Sequence, residues 1–97
     1  MIYAFVVEPD AQEDAWEAAS YLELRSPGEG LRFLNELERC YRYIRDFPHG
    51  FQERRGRFRH AMLDVFPYRV VYEVDGGTIH VYQIRHASRE PSKRFGP

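Results

Sequence analysis

The stretch Tyr68-Arg69-Val70-Val71-Tyr72-Glu73-Val74-Asp75-Gly76-Gly77-Thr78-Ile79-His80-Val81-Tyr82-Gln83-Ile84-Arg85-His86 decides the fold. Its first part is built of β-branched and aromatic residues, which suit a pleated, half-buried surface. Asp75-Gly76-Gly77 supplies the left-handed backbone that a tight hairpin turn needs, and a second β-rich run follows. Alternation sends Tyr68, Val70, Tyr72 and Val74 to one side of the first strand and Arg69, Val71 and Glu73 to the other. The first set is assigned to the core. The returning strand does not alternate cleanly: Ile79 and Val81 share one phase, Tyr82 and Ile84 the other. A bulge or burial on both faces would each explain this.

Working outward from that hairpin, residues 58–63 read as a further strand joined through an Asp64-Val65-Phe66-Pro67 turn, so the C-terminal half is an antiparallel meander. Residues 51–56 are polar and rich in Arg and Gly, and read as loop. Upstream, Leu31, Leu34, Leu37, Tyr41 and Ile44 form an amphipathic stripe over a helix at about 28–47, ended by Phe47-Pro48-His49-Gly50. A first helix begins near Asp10, expected as its cap, and carries Ala11, Ala15, Ala18 or Ala19 and Leu22 at helical spacing. Arg25-Ser26-Pro27-Gly28 breaks it, so the two helices form an antiparallel hairpin. Residues 2–8 read as a strand. The predicted order is β-α-α-β-β-β, an α+β fold with an antiparallel sheet, one face covered by the helical hairpin and the other open. The 97 residues form one domain (residues 1–97), with 87–97 as a loosely ordered tail.

Composition excludes several classes. The sequence is 43% hydrophobic and 30% charged, so it is neither disordered nor collagen-like. No apolar run approaches the ~18 residues of a membrane helix, and the start does not read as a signal peptide. One cysteine, Cys40, rules out an internal disulfide and a cysteine-based zinc site; the expected location is the reducing cytoplasm. No metal-ligand, phosphate-loop or dinucleotide signature is present, and no cofactor is expected. The net charge of −1 hides a polarity. The acidic residues concentrate before Arg39 and the basic ones after it, nearly all of them Arg. Arginine forks onto phosphate and carboxylate oxygens, so the basic half suits nucleic acid or an acidic protein; a merely solvated surface fits the same composition.

The open sheet face is where function is expected. Arg57, Arg59 and Arg69 are placed there, with Arg85 or His86 from the strand end and Arg54, Arg55 and Arg89 at the rim. A cluster of this kind can grip an RNA backbone. With His86 as acid or base and Arg59 and Arg69 stabilising the charged transition state, it could cleave one. Glu53 and Glu73 are the carboxylates available as a base. Each histidine on its own reads equally as a surface or partly buried residue. Trp16 is expected to be partly buried in helix packing.

The combined pattern resembles the RelE/ParE superfamily of type II toxin–antitoxin toxins over nearly the whole chain. The resemblance rests on Pro9-Asp10-Ala11-Gln12-Glu13-Asp14 after the first strand and on Ser26-Pro27-Gly28-Glu29-Gly30-Leu31-Arg32-Phe33-Leu34 opening the second helix. It rests further on Phe47-Pro48, on Phe66-Pro67-Tyr68-Arg69-Val70-Val71-Tyr72-Glu73-Val74, and on the ending Arg85-His86-Ala87-Ser88-Arg89-Glu90-Pro91. Pro67-Tyr68 and the His86–Pro91 ending look more like the ParE-like, plasmid-stabilisation branch. That branch implies a growth-inhibiting toxin that interferes with DNA gyrase and is neutralised by a cognate antitoxin. The RelE-like alternative implies a ribosome-dependent mRNA endonuclease using Arg59, Arg69 and His86. An inactive, antitoxin-binding relative is the third possibility. Whether the chain is an enzyme depends on the branch. No Tyr follows Tyr82, which departs from the nuclease pattern.

Overall fold

The computed structural model describes residues 2–88 and 94–96. Strand β1 (Ala4–Val7) leads into helices α1 (Pro9–Arg25) and α2 (Glu29–Asp46). Strands β2 (Glu53–Arg55), β3 (Phe58–Met62), β4 (Tyr68–Asp75) and β5 (Thr78–His86) follow. The β-α-α-β-β-β order is as expected, with the short β2 added where a loop was read. All three of its residues are charged and exposed, which suits an edge strand that must not recruit another chain.

The sheet order is β1-β5-β4-β3-β2. The β2–β3, β3–β4 and β4–β5 pairs are antiparallel. β1 lies parallel to β5, from Ala4 opposite Thr78 to Val7 opposite Val81, so the sheet is mixed rather than wholly antiparallel. Hydrophobic alternation specifies which face of β1 is inward, but not its direction beside β5.

Tyr68, Val70, Tyr72 and Val74 are all buried as assigned. The phase problem in β5 is a bulge. Val71 pairs with Gln83 but Tyr72 pairs with Val81, leaving Tyr82 as the extra residue. This slip brings Ile79, Val81 and Ile84 to one side, all buried in the main core.

On that side α1 presses Ala11, Ala15, Ala18 and Ala19 inward. Its start lies two residues earlier than expected: Glu8 is the cap position, Pro9 opens the helix and Asp10 is in the first turn. The hairpin turns at Gly28, whose φ of 91° is left-handed. The Glu23 carboxylate, from α1, accepts the N–H groups of Gly28 and Gly30 at 3.0–3.1 Å. It thereby satisfies donors that the start of α2 would otherwise leave unpaired.

The inward stripe of α2 is Gly30, Phe33, Leu37, Tyr41 and Ile44. Leu37, Tyr41 and Ile44 are inward as predicted, but Leu31 is exposed and Leu34 half-buried, so the inward face differs from the predicted one at the start of the helix. The reason is Phe33, which packs edge-on against Phe66 and Tyr68 at 5.6 and 5.0 Å and buries more area than a leucine would. Tyr72 adds a polar anchor within this core: its hydroxyl donates to Pro48 O at 2.7 Å, tying the end of the helical hairpin to the sheet.

Candidate functional surface

The β3–β4 pairing sets which side chains share a face. Arg59 sits opposite Tyr72 and Ala61 opposite Val70, so both point to the helix side. His60 opposite Val71 and Met62 opposite Arg69 point to the open side. The expectation that Arg59 joins Arg69 is therefore corrected. The Arg59 side chain is only 15% exposed and lies 3.6 Å from Glu53. It donates to Phe51 O at 2.5 Å and to His49 O at 3.4 Å, so it staples the 49–53 segment to the sheet. Arg57 sits at the end of β3, donating to Val74 O at 2.6 Å, with Glu73 and Asp75 at 3.8 and 3.9 Å.

His86 also lies on the helix side, opposite Tyr68, with the two rings edge-on at 5.1 Å. Its Nδ1 accepts from Ser88 N–H at 3.1 Å and faces Ser88 Oγ at 2.7 Å. Arg59, Arg69 and His86 are thus not assembled. Arg69 is on the other face, and Arg59 and His86 are aligned with positions four apart along β4, roughly 13 Å of strand. The two carboxylates considered as a base are engaged too. Glu53 faces Arg59, and Glu73 accepts the Tyr82 hydroxyl at 2.8 Å and lies near Arg57.

What the open face does bring together is Arg69, Arg85 and His60. Arg69 and Arg85 are directly opposite each other on β4 and β5. The Arg69 Nη1 faces His60 Nδ1 at 3.3 Å, and His60 Nε2 lies 3.0 Å from Phe95 O. A carbonyl can only accept, so the proton sits on Nε2 and Nδ1 accepts from Arg69. Burial holds the His60 pKa below its ordinary value. The Phe95 carbonyl pulls the other way, and the charges of Arg69, Arg85 and Arg54 lower it further.

The tail contributes to this face. Arg85 Nη2 donates to Gly96 O at 3.1 Å. Phe95 is buried, edge-on to Phe58 at 4.9 Å and stacked on Tyr82 at 5.9 Å. Phe95 and Gly96 are therefore buried against the sheet, within the stretch 87–97 that was read as a loose tail and of which 89–93 and 97 lie outside the described residues. Arg55 borders the buried pair, its Cβ 3.0 Å from where a side chain on Gly96 would begin. Arg89, placed on the basic rim, lies outside the described residues. His60, Tyr82 and Phe95 were not singled out from the sequence. The signal for His60 was available in the phase of β3, since apolar Ala61 and Leu63 face the core and place His60 on the opposite, open face.

A second surface lies on the far side of the hairpin. Trp16, Leu24 and Leu31 are 67%, 88% and 64% exposed. They border a groove of about 490 Å³ between α1 and α2, floored by Ala19, Gly30 and Leu34. Trp16 is therefore a surface residue and not part of the helix packing. No helix among the described residues is long and apolar enough to cross a membrane.

Two helices on one face of a five-stranded mixed sheet, with arginines on the other, make a fold that a solved structure shares. The chain is similar to a protein of the "Chromosomal ParDE TA system from P. aeruginosa", with a TM-score of 0.79 and 13% identity over 90% of this chain and 98% of that one. At that identity the likeness establishes the fold. The family follows from the sequence itself: residues 5–91 match the model described as "ParE toxin of type II toxin-antitoxin system, parDE", and the chain belongs to that family. No curated protein sequence matches it.

Proposed function

We propose that this chain, acting as a single toxin domain in the cytoplasm, inhibits growth by interfering with DNA gyrase and is held in check by a cognate antitoxin. The observation that carries the choice of target is the separation of Arg59, Arg69 and His86. Phosphodiester cleavage needs a proton-transfer group and charge-stabilising groups around one phosphate. Here Arg59 is committed to the 49–53 segment, and His86 lies on the face opposite Arg69. That arrangement favours a toxin that works by binding over the RelE-like nuclease. Membership of the ParE family supports the same reading.

The antitoxin fits the groove between α1 and α2. Exposed Trp16, Leu24 and Leu31 there give an amphipathic segment apolar surface to cover. Antitoxin binding should quench or shift Trp16 fluorescence; an unchanged spectrum on forming a stable complex would place the antitoxin elsewhere. The target is tested by pulse-labelling bacteria just after induction of this chain alone. Thymidine incorporation is expected to fall first, with filamentation. An earlier fall in methionine incorporation would overturn the gyrase reading and restore the nuclease. No change in either would mark an inactive, antitoxin-binding relative.

A further inference from the structure

We propose that the open face carries a slot for an extended segment with an aromatic residue followed by glycine, and that the chain's own Phe95-Gly96 is its exchangeable occupant. The inference concerns how this face is covered and holds whichever macromolecule is the toxin's target. The Phe95 ring is stacked on Tyr82 at 5.9 Å and stands edge-on to Phe58 at 4.9 Å. Two donors from the sheet read consecutive carbonyls. His60 Nε2–H donates to Phe95 O at 3.0 Å, and Arg85 Nη2 donates to Gly96 O at 3.1 Å. The carbonyl contacts fix where the segment lies, and the ring contacts supply the preference for an aromatic side chain.

The position after the aromatic calls for glycine. Gly96 has a φ of 82°, in the left-handed region, and a Cβ there would lie 3.0 Å from Arg55 Cβ. The position before it suits a basic residue. Arg94 stands over the Tyr82 and Phe95 rings at 5.2 and 4.8 Å. It shares a cavity of about 250 Å³ with Asp10, Glu13 and Asp14 of α1. The slot therefore selects a basic residue, an aromatic and a glycine in succession.

The occupant is held as a bound peptide is held. Among the described residues Gly96 makes a lone bridge and no run of strand pairing. Its other anchors are the side chains of Phe58, His60, Tyr82 and Arg85. Phe58 and Tyr82 are only half-buried, so the slot lies at the surface. Tethered to β5 through residues 87–93, the tail meets its slot at an effective concentration on the order of mM. The partner that fits is a protein with an extended segment carrying the same three features. It must outcompete the tail, which thereby sets a threshold for binding at this face.

The test titrates the full chain with a synthetic peptide of residues 91–97 and follows the His60 and Arg85 side-chain resonances by NMR. Phe95→Ala removes the ring, and Gly96→Ala unseats the tail by strain while keeping the ring. Both variants should retain a cooperative melt and bind the peptide saturably, with shifts at His60 and Arg85. The wild type should bind it at least about tenfold more weakly, because its slot is already filled in cis. A peptide with alanine in place of the phenylalanine should not bind. Folded variants without a saturable shift, wild type binding as tightly as the variants, or loss of the cooperative melt in both variants would overturn the exchangeable occupant. Equal binding of the alanine peptide would overturn the aromatic slot. A wild-type dimer that is lost in Phe95→Ala would overturn occupancy in cis and give the slot to a second copy's tail.

Discussion

Lowering the pH through 6.5 should destabilise this protein through His60. The ring is buried, its Nε2–H committed to Phe95 O and its Nδ1 lone pair to Arg69. Protonation would turn that lone pair into a donor facing a guanidinium, with Arg85 and Arg54 close by. The folded-state pKa therefore lies below that of the unfolded chain. Above about pH 6.5, the ordinary histidine value, both states are neutral there and His60 contributes no pH dependence. Below it the unfolded chain takes up a proton that the folded protein refuses. If the folded ring stays neutral, linkage gives a loss of about 1 kcal/mol between pH 6.5 and 5.5, approaching about 1.4 kcal/mol per further pH unit until the folded pKa is reached. For a domain of this size each kcal/mol is a fall of about 4–8 °C in Tm. The assay is thermal unfolding of the wild type and of His60→Gln between pH 8 and 5; glutamine keeps an uncharged donor for Phe95 O and removes the titration. The wild type should show the steeper decline below pH 6.5. Parallel curves, or a steeper decline in the variant, would refute the reasoning.

Other consequences can be checked in the same preparations. Tyr72→Phe removes the 2.7 Å bond to Pro48 O from a fully buried side chain; urea unfolding should show a loss of about 1–3 kcal/mol, and an unchanged midpoint would contradict the bond. Gly30→Ala would place a methyl 2.7 Å from Ala19 O, a backbone atom; overpacking of this kind should cost roughly 1–3 kcal/mol by the same assay, and a neutral result would mean that the helices are not so closely apposed. Cys40 has its thiol pKa pushed up to about 12, by burial first and by Glu36 and Asp64 next. The native protein should resist iodoacetamide at pH 8 and react once unfolded; rapid native labelling would contradict that burial.

The parts of the fold legible in the sequence are those that carry a period or a turn signal. The β4–β5 hairpin is announced by alternation and Asp75-Gly76-Gly77, and the helical hairpin by spaced alanines and the Ser26-Pro27-Gly28 break. Even the irregular phase at Tyr82 is visible before its cause, the bulge. What failed was legible only through tertiary contact. Arg59 reads as outward because arginine usually is, yet its guanidinium is spent on the backbone carbonyls of the 49–53 segment. Phe95 stands alone among polar residues, so no pattern shows that it docks on Phe58 and Tyr82. The inward face of α2 is chosen by the aromatic partners of Phe33, which lie in another element. The site was only partly visible for the same reason: Arg69 follows from strand alternation, whereas the choice between Arg85 and His86 depends on the bulge in β5 and His60 on the phase of β3.

Purified protein and purified DNA gyrase, in a supercoiling and cleavage assay without ribosomes, test the proposed target most directly. Added toxin should inhibit supercoiling or accumulate cleaved DNA, and pre-incubation with the cognate antitoxin should abolish the effect. Gyrase left fully active at saturating toxin, alongside cutting of ribosome-bound mRNA by the same preparation, would contradict the account and return Arg59, Arg69 and His86 to consideration as a nuclease site.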